Sequence, residues 1–118
     1  MSGRMSLADK LGKVMHGLKA YDAEKAILFG SAARGNDDAY SDIDLIVIKR
    51  TDKRFLDRLA EVIRAIDPDF ALDVLVYTPE EFERMLADEN PLLTEAVEHG
   101  KVIYERPRTR SRKVDGGG

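Results

Sequence analysis

Three features that this 118-residue sequence lacks narrow what the protein can be. It has no cysteine, which excludes disulfides, thiolate metal sites and cysteine nucleophiles. No run approaches the ~20 apolar residues that a bilayer-spanning helix needs, and the first residues lack the apolar stretch of a signal peptide. We therefore expect a soluble, cytoplasmic protein that does not enter a membrane.

The composition, with 43% apolar and 35% charged residues, supplies one hydrophobic core beneath a charged surface. The length suits one domain, which we place at residues 1–105, followed by a basic, disordered tail over residues 106–118. The tail holds five basic residues against Asp115, an excess of four positive charges. Because the whole chain carries −3, residues 1–105 carry −7. A body this acidic repels polyanions, so nucleic acid is an expected partner only for the tail, and a metal-bound phosphate substrate is favoured.

Apolar spacing and capping residues predict helices that alternate with short strands. Ser6 and Thr51 are expected to cap two long helices, and Thr78 and Asn90, each followed by proline, two shorter ones. Strands are predicted over residues 25–29, 42–48, 70–77 and 102–104, and one helical turn over residues 31–35. The acids at the start of the helix capped by Thr78, which we interpret as a solvated first turn, are Glu80, Glu81 and Glu83.

Three aspartates interrupt these apolar strands. Asp42 and Asp44 are two residues apart, so the period of a strand places both on one face, and Asp73 belongs to another strand. A carboxylate taken out of water needs a cation or hydrogen bonds, and hard divalent ions such as Mg²⁺ prefer carboxylate oxygens. If the two strands are neighbours, the three acids form an open metal site. The alternative is separate structural roles: a turn cap, a partner for an arginine and an exposed strand start.

Upstream of these acids, a glycine and a serine end the first strand and open a short helix. Gly30 allows close approach of the backbone to a ligand, the Ser31 hydroxyl is a donor for a phosphate oxygen, and Arg34 adds charge. Taken alone, Gly-Ser before a helix is equally typical of an ordinary turn and N-cap.

The two segments together, Gly30-Ser31-Ala32-Ala33-Arg34-Gly35 and Ser41-Asp42-Ile43-Asp44-Leu45, resemble the signature of the DNA polymerase β-like nucleotidyltransferase superfamily. The small size and the ending from Asn90-Pro91-Leu92-Leu93 to Tyr104 resemble its minimal nucleotidyltransferases, the MNT group. The resemblance implies an α/β (α+β) fold, a small mixed β-sheet flanked by helices.

The resemblance also implies a site and a reaction. Gly30, Ser31 and Arg34 would bind the triphosphate of ATP, and the three aspartates would hold two Mg²⁺ ions, which Mn²⁺ can replace. Asp73 would act toward the acceptor hydroxyl, and AMP would be transferred with loss of pyrophosphate.

Minimal nucleotidyltransferases of this kind are typically paired with a HEPN-family toxin, so the implied acceptor is a tyrosine of such a partner and the implied role is that of an antitoxin. A homodimer is a further implied partner state. Two other functions stay open: a non-catalytic antitoxin or nucleotide sensor that acts by contact alone, and modification of a small molecule such as an aminoglycoside.

Overall fold

The computed structural model describes residues 6–30, 33 and 43–106. The candidate site residues Ser31, Arg34 and Asp42 lie outside these ranges. Within them the elements are α1 (Leu7–Tyr21), β1 (Lys25–Phe29), β2 (Ile43–Ile48), α2 (Phe55–Ile66), β3 (Leu72–Tyr77), α3 (Pro79–Ala87), α4 (Pro91–His99) and β4 (Lys101–Glu105). Helices and strands mixed along the chain confirm the predicted α/β class.

The four strands form one mixed sheet in the order β3-β2-β1-β4. β1 runs antiparallel to both β2 and β4, whereas β2 and β3 are parallel and are joined through α2. The C-terminal end of β1 therefore lies at the same end of the sheet as the beginnings of β2 and β3. This arrangement confirms the small mixed sheet flanked by helices, and it brings Gly30, Asp44 and Asp73 to one end of it.

One face of the sheet is covered by α1 and α2. Val14 and Leu18 of α1 and Val62 of α2 are fully buried there, with Ile66 nearly so, in one cluster with strand residues. Burying one such side chain stabilises the fold by about 1.5–3 kcal/mol. The helices cross closely, because a side chain at Gly17 would place its Cβ 2.5 Å from the Ile66 Cα. This is the larger of the two cores and holds the sheet rigid beneath the site.

The opposite face is covered by α4, with α3 beside it. Leu93 and Ala96 of α4 pack on Ile27 and Ile46 of the central strands, and all four are buried. The Asn90 side chain starts α4 by accepting hydrogen bonds from two backbone N–H groups. This second, smaller core marks the sheet face that also carries the candidate site.

Three predicted helix caps are confirmed. The Ser6 hydroxyl accepts from the Asp9 N–H at 3.1 Å, and Thr78 forms a reciprocal capping box with Glu81. Asn90 caps α4 as expected. None of the helices in residues 6–30 and 43–106 is long and apolar enough to cross a membrane.

The predicted cap at Thr51 is wrong. Its hydroxyl accepts from the Lys53 N–H at 3.1 Å and so closes a turn ahead of the helix. Arg54 is the N-cap instead and makes no side-chain capping bond. The reason lies one turn into α2, where Arg58 Nε donates to the Lys53 carbonyl at 2.8 Å and fixes the preceding turn.

Candidate metal and nucleotide site

The sheet register makes Asp44 and Asp73 direct neighbours. Each is the second residue of its strand, and in the parallel pairing of β2 with β3 they are register partners. Adjacent strands lie about 4.8 Å apart, and partners in register project from the same face. Two carboxylates predicted from separate parts of the sequence are therefore side by side.

Strand alternation shows which face carries the pair. Ile46 lies two residues after Asp44 and belongs to the core beneath α4, as does Tyr77, four residues after Asp73. Asp44 is half-buried and Asp73 is exposed. The pair therefore lies on the α3/α4 face, at the end of the sheet where β1 stops, and it is accessible from the Asp73 side.

A tight turn passes over the Asp44 carboxylate. Gly30 has φ 78°, a left-handed conformation that side chains disfavour, and its carbonyl accepts from the Ala33 N–H at 3.2 Å. A Cβ at Gly30 would lie 2.5 Å from Asp44 Oδ2, in collision with it. The backbone angle thus favours glycine, and a side chain at this position would have to displace the Asp44 carboxylate.

Phe29 completes the row across the sheet, and the sequence analysis did not single it out. It is the antiparallel register partner of Asp44 and packs against the smaller core. It therefore fixes the end of β1 from which the Gly30 turn departs. The sequence signal for this role is that Phe29 is the last apolar residue before Gly30. Strand alternation then places Phe29 on the same face as Asp44.

The donor set fits Mg²⁺ in kind, because carboxylate oxygens are the ligands that hard divalent cations prefer. Asp44 and Asp73 supply two such groups, and the space a Cβ at Gly30 would fill lies directly over one of them. Among residues 6–30, 33 and 43–106, no group of three or more histidine, aspartate or glutamate side chains could hold a metal. A three-carboxylate site needs Asp42, so that role, and those of Ser31 and Arg34, remain predictions.

A second charged cluster, at the far end of β3, was not anticipated. Arg58 is 7% exposed and its guanidinium forks onto both Glu81 carboxylate oxygens, at 2.8 and 3.2 Å. The hydrogen bonds from Arg58 are the main reason that the pKa of Glu81 is lowered. Glu81 is therefore ion-paired although its side chain is 35% exposed, and the expected solvated first turn is confirmed for Glu80 and Glu83, which are exposed. The signal was the spacing of Arg58, which is four residues before buried Val62 and so on the inner face of α2.

The sequence and the fold are similar to those of known proteins. The family model described as Polymerase beta, Nucleotidyltransferase matches residues 12–109. A "putative protein adenylyltransferase" of Methanocaldococcus jannaschii is 35% identical over an alignment of 89 residues that covers 72% of this chain. The chain spans 60% of the length of that relative.

Two solved structures share the fold. A nucleotidyltransferase structure from Sulfolobus solfataricus, described as putative, has a TM-score of 0.55 at 24% identity and covers 82% of this chain and 79% of its own. A structure described as a toxin-antitoxin with AMP-PNP has a TM-score of 0.55 at 19% identity and covers 81% and 73%. At these identities the likeness establishes the fold alone.

Proposed function

Because the chain belongs to the polymerase beta nucleotidyltransferase family, we propose that it transfers AMP from ATP to a hydroxyl group on a partner protein. The observation that carries the proposal is the in-register pair Asp44 and Asp73 beneath the left-handed Gly30 turn. Two adjacent carboxylates at the accessible end of a sheet repel each other unless a cation joins them. A metal–triphosphate complex supplies that cation.

In the proposed site, Gly30, Ser31 and Arg34 bind the triphosphate, and Asp42, Asp44 and Asp73 hold two Mg²⁺ ions, which Mn²⁺ can replace. When bound, the metal ions would neutralise the negative charge of the carboxylates and of the phosphate oxygens. Because Gly30 has no side chain, its turn lies against the Asp44 carboxylate, and a phosphate could approach the backbone of the turn closely.

The transfer proposed is a single displacement at phosphorus. The acceptor oxygen attacks the α-phosphorus, the bond from that phosphorus to the oxygen bridging it to the β-phosphorus breaks, and pyrophosphate leaves with the bonding electrons. The hydroxyl proton passes to the Asp73 carboxylate, which is the exposed member of the pair and so the one an incoming acceptor reaches first.

The proposed acceptor is a tyrosine of a HEPN-family partner, which the protein would neutralise as an antitoxin. A relative named as a putative protein adenylyltransferase supports a protein acceptor, and a structure that shares the fold is described as a toxin-antitoxin with AMP-PNP. We further propose that residues 1–105 are the catalytic domain and that residues 106–118 are not needed for transfer.

The test is to incubate the protein with ATP, Mg²⁺ and a HEPN protein encoded beside it, and to measure the partner's intact mass. We expect the mass to rise by one or more AMP groups. Asp44→Asn and Asp73→Asn should abolish the increase, while Asp52→Asn, an exposed aspartate beyond the other end of β2, should leave it unchanged.

Two results would contradict this function. An unchanged partner mass together with a stable, inhibitory complex would show that the protein acts by contact alone. Transfer of AMP to a small hydroxylated compound, with neither modification nor binding of the partner, would keep the chemistry and reject the protein acceptor.

A further inference from the structure

β3 is an edge strand, and its hydrogen bonds show which of its residues face outward. It pairs with β2 alone in the four-stranded sheet. The Ile43 N–H donates to the Ala71 carbonyl at 3.1 Å, and the Lys49 N–H to the Tyr77 carbonyl at 3.0 Å. Because residues along a ladder alternate between facing the partner and facing away, the odd-numbered residues of β3 direct their backbone groups to β2.

The even-numbered residues therefore direct their N–H and C=O groups to the open edge. At Val76 that edge is closed, because Arg58 Nη1 donates to the Val76 carbonyl at 3.2 Å while the same guanidinium binds Glu81. This contact independently confirms the outward direction of the even residues. Capping an edge with a charged side chain is a common way to prevent strand pairing.

The other half of the edge, beside the candidate site, has no such cap among the described residues, and there Leu72 is half-buried and Val74 is 8% exposed. Within the part of the chain that the structure describes, the outward N–H and C=O groups of Leu72 and Val74 make no hydrogen bond across the edge. Asp73 lies between these two residues and is exposed. The unpaired stretch of backbone is thus continuous with the proposed acceptor side of the site.

We propose that Leu72 and Val74 bind an extended segment of the acceptor protein as an added antiparallel strand, with the hydroxyl-bearing residue opposite Asp73. The proposal rests on the proposed function and adds how the acceptor is recognised. Main-chain hydrogen bonds to an exposed sheet edge are a recurring mode of peptide recognition. They also suit a small chain, because recognition then needs an edge and not a dedicated pocket.

The register of such a strand places the acceptor correctly. Asp73 directs its backbone groups to β2, so the residue opposite it would form a non-hydrogen-bonded antiparallel pair. In that type of pair the Cα atoms are about 4.5 Å apart and the side chains are closest. The side chain opposite Asp73 would project from the face that also carries Asp44.

The charge around this edge specifies a basic segment. Asp67 and Asp69 precede β3 and Asp73 lies within it, with no basic residue between positions 67 and 73. Two lysines of α1 reduce the excess of negative charge: Lys13 lies 3.6 Å from Asp69, and the Lys10 ammonium lies over the aromatic ring that follows Asp69. Arginine or lysine on either side of the acceptor residue would therefore strengthen binding, in a salt-dependent way.

The test uses the full chain with ATP and Mg²⁺ and a synthetic peptide, acetyl-Arg-Gln-Val-Tyr-Val-Gln-Arg-amide, whose only hydroxyl is the tyrosine. We expect AMP on the tyrosine, detected by mass spectrometry. N-methylation of the two valines removes the N–H groups that would bind Leu72 and Val74, and should lower the rate by about tenfold or more. N-methylation of the tyrosine, whose N–H would point away, should have little effect.

A protein variant tests the same contact from the other side. Leu72→Pro removes one outward N–H at the first residue of the strand, where proline is tolerated, and should slow peptide modification by about tenfold. Leu72→Ala loses the side chain but keeps the N–H, and is the matched control. Melting temperatures of both variants report whether folding is equally affected.

Calorimetric titration of ATP and Mg²⁺ separates this proposal from the one it rests on. Failure of the wild-type chain to bind ATP would reject the proposed function. Normal ATP binding with no peptide modification, or with modification that is insensitive to valine methylation and to Leu72→Pro, would reject strand addition at β3 and leave the function standing.

Discussion

Gly30 is the residue at which backbone conformation and site chemistry meet. Gly30→Ala should lower the free energy of unfolding by about 1–2 kcal/mol, because alanine is strained at φ 78° and its Cβ collides with Asp44 Oδ2. It should also weaken binding of ATP and Mg²⁺, since relief of the collision displaces the carboxylate. Chemical denaturation and calorimetric titration measure the two effects.

Gly12→Ala is the matched control, because a Cβ there has no atom within 4 Å and the residue lies in the interior of α1. It should stabilise the protein by about 0.5–1 kcal/mol and leave ATP binding unchanged. Equal ATP affinity in both variants would contradict the role assigned to the Gly30 turn.

Tyr21 carries the one buried side-chain oxygen with no hydrogen-bond partner among the described residues. Burial, helped by the charge of Glu61 and opposed by that of Arg58, raises its pKa to about 12. The Lys49 ammonium lies 4.6 Å from the ring centroid and donates to the Tyr21 carbonyl at 2.8 Å. The ring is therefore well packed, and the hydroxyl is the unfavourable part of the side chain.

Tyr21→Phe should leave the free energy of unfolding at pH 7 equal or raise it by about 1 kcal/mol, since it removes a buried unpaired group and keeps the ring. A folded pKa above the unfolded value of 10 means that wild-type stability declines as pH rises from about 10 to about 12. The variant should lose less over that interval. Denaturation at several pH values measures these effects, and Tyr104→Phe, at a half-buried tyrosine, is the control. A Tyr21→Phe variant that is less stable than wild type at pH 7 would contradict the prediction, because it would mean that the Tyr21 hydroxyl makes a stabilising hydrogen bond.

At the scale of elements, Arg58 joins three of them. From α2 its guanidinium binds Glu81 at the start of α3 and the outer carbonyl of Val76 on β3. Glu81 in turn accepts from the Thr78 N–H at 2.9 Å and so also caps α3. The side chain of Glu81 is 35% exposed, which lowers the cost of keeping both charges.

Arg58→Met should lower the free energy of unfolding by about 2–3 kcal/mol, because it leaves Glu81 and the Val76 carbonyl without their partner. Glu81 has a folded pKa below its ordinary 4.5, so its contribution is present above that pH and is lost as pH falls through the folded pKa. The gap between wild type and variant should therefore narrow below about pH 4.5.

Arg54→Met is the matched control, since Arg54 is exposed and makes no side-chain capping bond. Its stability should lie within about 0.5 kcal/mol of wild type at every pH. A gap for Arg58→Met that stays constant with pH would mean that packing of the arginine stem, and not the ion pair, is responsible.

Local signals predicted most of these elements. Ser6, Thr78 and Asn90 cap helices because their short polar side chains reach nearby N–H groups, a property visible in sequence. The predicted cap at Thr51 was wrong because Arg58, seven residues later, donates to the Lys53 carbonyl and so fixes the turn that precedes α2. Arg58 itself binds residues of β3 and α3, and contacts of that range have no local pattern.

For the whole molecule, the two ends of the sheet differ in charge balance. At the site end Asp44 and Asp73 are adjacent. At the other end, acids near the start of β1 meet cations: Arg50 lies 3.5 Å from Glu24, and Arg106 lies 2.9 Å from Asp22. Cationic side chains thus compensate the acids near the start of β1, and the proposed metals would add positive charge at the site end.

The site residues stay a prediction, and the sheet topology shows how two of them, Asp44 and Asp73, are arranged. Strand period placed Asp42 and Asp44 on one face, but only the parallel pairing of β2 with β3 makes Asp73 the neighbour of Asp44. The sequence alone did not predict that β2 and β3 are neighbours, because their register depends on the α2 crossover and on the core beneath it. The contact between the Gly30 turn and Asp44 could not be predicted either, since it joins two strands through a positive φ.

The boundary between the domain and the predicted tail lies at Arg106, which makes contacts with the folded part of the chain. Arg106, the first residue of the predicted tail, donates its N–H to the Glu24 carbonyl at 2.9 Å, and its guanidinium contacts Asp22 and Glu24. A chain ending at Glu105 should therefore be less stable than one ending at Arg106, by at most about 1 kcal/mol because the ion pairs are exposed.

Thermal denaturation of both truncated chains measures that difference, and Arg106→Gln in the full chain isolates the guanidinium while keeping the N–H. Its effect should shrink in high salt, because exposed pairs are screened, whereas the backbone contribution should persist. Removal of residues 107–118, whose only aliphatic side chain apart from proline is Val114, should change neither melting temperature nor ATP affinity. Identical stability of the chains ending at Glu105 and Arg106 would instead place the start of the tail at residue 106, since the contacts of Arg106 would then contribute nothing to the folded state.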